Sequence, residues 1–78
     1  MLDIKVLGSG CPNCKRTQAL IEEAAKARGV AVQVEKVQDI ADIMSYGVMS
    51  TPGVVVNGKV VHAGGVPDRK AIDAWLDS

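Results

Sequence analysis

Apolar and polar residues alternate from Leu2 to Leu7, with Leu2, Ile4 and Val6 set against Asp3 and Lys5, before Gly8 stops the run. This is the period of a strand with one buried face. From Pro12 to about Arg28 the spacing becomes helical: Leu20, Ile21, Ala24 and Ala25 share a face, and Lys26, Arg28 and Gly29 supply the cationic, glycine-terminated end that helices favour. Alternation returns over Val30 to Val37, where Val30, Val32 and Val34 oppose Ala31, Gln33 and Glu35, and predicts a second strand. Across residues 39–47, Ile40, Ile43 and Met44 recur at helical intervals and Gly47 closes the pattern, so a short second helix is expected with Met44 on its core face. After the connection Val48 to Gly53, the run Val54 to Val61 has β-branched residues on both sides of Asn57-Gly58, the strongest short-range hairpin signal. Ala63-Gly64-Gly65 ends that hairpin. Pro67-Asp68-Arg69-Lys70 then opens a last helix, with Ala71, Ile72, Trp75 and Leu76 facing inward.

The resulting order is βαβαββα. Two strands joined through a helix should be parallel with a right-handed crossover, and the hairpin adds an antiparallel half. The expected fold class is therefore α/β, a four-stranded mixed sheet with helices on both faces. Seventy-eight residues make one domain, 1–78. The chain is 47% hydrophobic with no Phe, one Tyr and one Trp, so its core must be built from Val, Ala, Ile and Leu. Nine basic and nine acidic residues cancel without forming a run, which argues against nucleic-acid and anionic-membrane surfaces. The segment Met1 to Lys5 has neither the basic start nor the long apolar stretch of a signal peptide, and no apolar run reaches membrane-spanning length. A soluble, cytoplasmic monomer with no bound cofactor is the expectation.

Both cysteines fall in Gly8-Ser9-Gly10-Cys11-Pro12-Asn13-Cys14-Lys15, at the corner between the first strand and the first helix. With Pro12 as the first helical residue its missing N–H costs nothing, and Cys11 becomes the N-cap. There its sulfur would accept hydrogen bonds from the N–H groups of Asn13 and Cys14 and feel the positive end of the helix dipole, both of which favour thiolate. Thiols so placed fall from about 8.5 into the range of about 3.5 to 7.5. Cys14, one turn later, can lie beside Cys11 and resolve a mixed disulfide. Lys15 and Arg16 follow; as cations in or beside the first turn they oppose the dipole, and they would either depress the Cys11 pKa, attract an acidic partner or simply be solvated.

Three other assignments compete with a redox dithiol. As a structural staple the pair closes a very short loop, for which loop entropy gives only about 2 kcal/mol. A closed zinc site needs four Cys or His ligands, and the chain holds Cys11, Cys14 and His62. A Cu(I)-type metal chaperone also places CxxC between strand one and helix one, but in a βαββαβ order that ends on a strand. In a reducing compartment a close cysteine pair is more often catalytic, sensing or metal-binding than structural. His62 fits a half-exposed position at a strand end, Trp75 a core helical face, and Tyr46 receives no role.

Cys11-Pro12-Asn13-Cys14 after strand one, Thr51-Pro52 before strand three, the Asn57-Gly58 hairpin and Gly64-Gly65 before the last helix stand in the order of a known family. Over essentially its whole length the chain resembles the thioredoxin-like proteins, most closely the small redox-active disulfide proteins that look like a glutaredoxin reduced to its core. That resemblance implies a minimal thioredoxin fold and thiol–disulfide oxidoreductase activity. It implies Cys11 as the attacking thiol, Cys14 as the resolving thiol, and a cis Thr51-Pro52 bond facing the disulfide. Thr51, Pro52, Gly64 and Gly65 would contact substrate, while Pro12, Asn13 and Lys15 would modulate the thiols. The partners implied are a disulfide-containing protein or small thiol and an upstream reductase or glutathione, with no metal. Ser9-Gly10 stand where thioredoxin itself carries an aromatic residue, and Asn13 where typical glutaredoxins carry Tyr or Phe.

Overall fold

The computed structural model describes residues 2–8 and 12–77. Along them run β1 (Leu2–Leu7), α1 (Pro12–Arg28), β2 (Val32–Val37), α2 (Ile40–Ser45), β3 (Gly53–Val56), β4 (Lys59–Ala63) and α3 (Arg69–Leu76). The sheet order is β2-β1-β3-β4, with β1 parallel to β2 and antiparallel to β3, and β3 antiparallel to β4. This is the predicted βαβαββα arrangement. Because α3 follows the hairpin, the chain does not adopt the βαββαβ order of a metal chaperone.

Alternation along the two inner strands sorts their side chains between two cores. Ile4 and Val6 of β1 and Val54 and Val56 of β3 pack with Ile21, Ala24 and Ala25 of α1 and Ile72 and Leu76 of α3. On the other face Leu7 and Val55 pack with Ile43 of α2 and Val48. The Asn57-Gly58 turn has positive φ at both positions, +50° and +85°, as a type I′ hairpin requires. Asn57 also accepts from the Asp3 backbone N–H at 3.0 Å, tying the turn to the sheet centre. Asp39 and Asp68 cap α2 and α3 with side-chain hydrogen bonds of 2.8 Å to the N–H groups of Ala41 and Ala71.

Two expectations change. The second strand begins at Val32, and Val30 instead packs against the α1 core from the preceding turn, where its N–H donates to Ala25. Met44 is 70% exposed and Ile40 67% exposed, although both share a helical face with buried Ile43. The reason is length: α2 has six residues, less than two turns, and lays a single side chain on the sheet between Leu7, Val48 and Val55. Trp75 is half-buried against the main core, with its ring tilted over that of His62 at a centroid distance of 5.9 Å.

Charges decorate this frame. Arg28 at the end of α1 pairs with Asp73 at 3.7 Å and with Asp77, while Asp73 also accepts from Arg69 at 3.1 Å. Lys5, on the α2 side of β1, is held above its ordinary pKa by Tyr46 and by the carboxylates of Glu35 and Asp3. A raised lysine pKa contributes stability at neutral pH that fades as pH rises through the raised value. Ile21→Ala should lower the unfolding free energy by about 2–5 kcal/mol. Asp73→Asn should lower it by about 1 kcal/mol or less. Urea unfolding at low and molar salt checks both, since only the Asp73 loss should shrink with salt.

Candidate active site

Cys14 lies in the first turn of α1 and starts the buried stripe continued by Thr17, Ile21, Ala24 and Ala25. It is 6% exposed, and its sulfur is held in a disulfide. Thr17, fully buried below it, turns its hydroxyl onto the Asn13 carbonyl at 2.8 Å, so no polar atom is stranded there. Pro12, Asn13, Lys15 and Arg16 are exposed on the outer side of the same turns, and that first turn contains no acidic residue. Cys11 and its N-cap role lie outside the described residues.

The end of β1 fixes where the sulfur can be. A Cβ built on Gly8 would lie 2.2 Å from Cys14 Sγ, 3.3 Å from Cys14 Cβ and 3.6 Å from Thr51 Cβ. Gly8 is anchored in turn, its N–H donating to the Val37 carbonyl at 2.9 Å as an extension of the β1–β2 ladder. Gly8 was therefore more than a strand stop: it is the floor of the site. The available signal was a glycine as the last residue before the thiol loop, but sequence alone does not distinguish a turn from a close approach.

The connection before β3 brings the second group of residues to the same place. The Thr51–Pro52 peptide bond is cis, Thr51 is exposed and Pro52 is buried. Gly64 donates its N–H to the Pro52 carbonyl at 2.9 Å and sits against Ser50 in the left-handed conformation, φ +85°, where a Cβ would lie 3.1 Å from that of Ser50. Gly64 thus belongs to the wall formed by residues 50–52. Gly65 does not touch the thiol region in this way; its carbonyl pairs with His62 Nε2 at 2.9 Å and the space above its Cα is open. The structure gathers Cys14, Thr51, Pro52 and Gly64, and leaves Gly65 at the margin.

Beyond Thr51 the surface opens into an apolar groove of about 300 Å3 between α2 and the following loop. Another depression, of about 380 Å3, lies between the C-terminal half of α1 and β2, and neither Cys14 nor Thr51 lines it. Among the described residues no three His, Cys, Asp or Glu side chains come together as a metal site, and no helix is long and apolar enough to cross a membrane.

A β2-β1-β3-β4 sheet, a cysteine in the first turn of the helix after β1 and a cis X-Pro bond beside that cysteine define the thioredoxin-like redox proteins. The chain belongs to the thioredoxin family: residues 2–77 match the family model described as the thioredoxin domain. It is 31% identical over 76 residues to a thioredoxin of Methanothermobacter thermautotrophicus, covering 97% of this chain and 99% of the relative. It is 32% identical over 78 residues to a thioredoxin of Methanocaldococcus jannaschii, covering 100% of this chain and 90% of the relative. A mutant thioredoxin from Halobacterium salinarum superposes with a TM-score of 0.72 at 20% identity, over 97% of this chain and 72% of that one. At the level of the family the protein is a thiol–disulfide oxidoreductase.

Gly8→Ala should cost about 1–3 kcal/mol, the range for forcing a side chain into a filled core. Urea unfolding of the oxidised protein is the check; unchanged stability would mean that Cys14 does not rest on residue 8.

Proposed function

We propose that the Cys11–Cys14 pair is the working dithiol and that the protein reduces disulfides of protein substrates in the reducing cytoplasm. The observation that carries this is the placement of Cys14 Sγ against Gly8 and next to Thr51, at the start of α1 in a chain of the thioredoxin family. Cys14 is disulfide-bonded, and Cys11 is the other cysteine of the sequence.

The Cys11 thiolate attacks one sulfur of the substrate disulfide. That S–S bond breaks, a mixed disulfide forms, and the substrate's other sulfur leaves as a thiolate that takes a proton from water. Cys14, as thiolate, then attacks Cys11 Sγ, forming the Cys11–Cys14 bond and expelling the second substrate thiolate. Two electrons have moved from the dithiol to the substrate. An upstream dithiol reductase, or glutathione, reverses the closure and recharges the pair.

The division of labour follows from exposure and electrostatics. Cys14 is buried and suited to act second, on a sulfur already beside it. The α1 N-terminus, with Lys15 and Arg16 near it and no carboxylate in its first turn, favours an anionic sulfur at position 11. Pro12 and Asn13 fix the two-residue spacing of the pair. Thr51, exposed beside Cys14, pairs through its backbone with an extended substrate segment, and Pro52 and Gly64 form the wall behind it.

Cys11→Ser should abolish turnover of a disulfide substrate, whereas Cys14→Ser should accumulate a mixed disulfide detectable by mass on non-reducing gels. A fully active Cys11→Ser protein would contradict the assignment.

A further inference from the structure

Among the described residues Thr17 is the one polar or charged residue that is buried, at 0% exposed. It stands three residues after Cys14 on the buried stripe of α1, and its hydroxyl donates at 2.8 Å to the carbonyl of Asn13, which lies between the two cysteines in sequence. A Thr hydroxyl that turns back to the carbonyl four residues earlier is ordinary in helices. Its position here is not. Side chains three apart on a helix are neighbours and lean toward the N-terminus, so Thr17 leans over the turn that carries Cys14. No Asp, Glu, Lys, Arg or His is buried among the described residues, so the Thr17 hydroxyl is the polar side-chain group that shares the interior with this sulfur.

We infer that Thr17 is the hydrogen-bond donor of the resolving step: its hydroxyl leaves the Asn13 carbonyl for the Cys14 thiolate when the disulfide opens, and returns when it closes. The inference rests on the dithiol chemistry proposed above, in which Cys14 becomes an anion at a site only 6% exposed. Burial disfavours that charge, and a donated hydrogen bond offsets the cost. The Asn13 carbonyl can release the hydroxyl without being stranded, because the α1 ladder also gives it the Thr17 backbone N–H. Of the two acceptors the thiolate is the stronger, since it carries a full charge. Cys14 loses its own proton to water and Thr17 keeps its proton throughout, so the hydroxyl shares a proton and transfers none. Once Cys14 Sγ bonds to Cys11 Sγ its charge is gone, and the hydroxyl goes back to the carbonyl. The structure holds Cys14 in a disulfide with the Thr17 hydroxyl on Asn13, which is the closed end of this cycle.

The test titrates Cys14 in the reduced full chain carrying Cys11→Ser, so that one thiol remains, by following its isotope-labelled Cβ resonance with pH. Adding Thr17→Val, which keeps the shape and removes the hydroxyl, should raise the Cys14 midpoint by about 1 pH unit, the order of one hydrogen bond to a charged group. Thr17→Ser, which keeps the hydroxyl, should leave the midpoint where Thr17 holds it. With both cysteines present, Thr17→Val should not move the midpoint of Cys11 alkylation. Thr17→Ala carries the same comparison if the Val chain does not fold. An unmoved Cys14 midpoint overturns the inference. So does a rise that Ser does not prevent, which assigns the effect to packing, or an equal rise at Cys11, which assigns it to the whole turn. Reduction of hydroxyethyl disulfide by the unsubstituted chain is measured alongside. Its failure overturns the dithiol chemistry and the resolving role together, whereas reduction with an unmoved Cys14 midpoint overturns the Thr17 hydroxyl alone.

Discussion

The structure turns on a contact between a missing side chain and a sulfur. β1 runs down the centre of the sheet, hydrogen-bonded to β2 on one side and β3 on the other, and its exit at Gly8 is therefore held from both directions. Cys14 Sγ occupies space that any other residue at position 8 would fill. That constraint places the start of α1 over the end of the sheet. Thr51, arriving from the connection before β3, meets the same point, so one small volume joins three distant parts of the chain.

The two sheet faces serve that volume differently. On one, α1 and α3 close a core of Ile, Val, Leu and Ala, reinforced outside by the Arg28, Arg69, Asp73 and Asp77 charges. This side fixes the thiol helix. On the other, α2 is too short to cover what it carries: Ile43 seals the sheet with Leu7, Val48 and Val55, while Ile40 and Met44 stay in solvent. The covered face holds α1 over the end of the sheet, and the unfinished face lies next to Thr51.

Much of this was legible in the residues. Period-two alternation and the Asn57-Gly58 turn specified the strands and their hairpin, because half-buried strands and type I′ turns each admit few residue patterns. The resemblance placed Thr51-Pro52 and the cysteines in one family arrangement. What was not legible depended on three-dimensional fit. Helical spacing put Met44 beside Ile43, but spacing does not say how wide a face the sheet offers to a six-residue helix. Gly8 read as punctuation because a glycine needed for close approach looks the same in sequence as one that ends a strand. Gly65, paired in sequence with Gly64, parts from it because only Gly64 reaches the Pro52 carbonyl.

The most direct test of the central claim, a prepared thiol at position 11 and a shielded one at position 14, is the pH dependence of alkylation at each cysteine of the reduced protein, resolved by mass mapping. Selective modification of Cys11 with a midpoint well below about 8.5, and slow modification of Cys14, is the predicted result. Equal reactivity of both cysteines with midpoints near about 8.5 would contradict it.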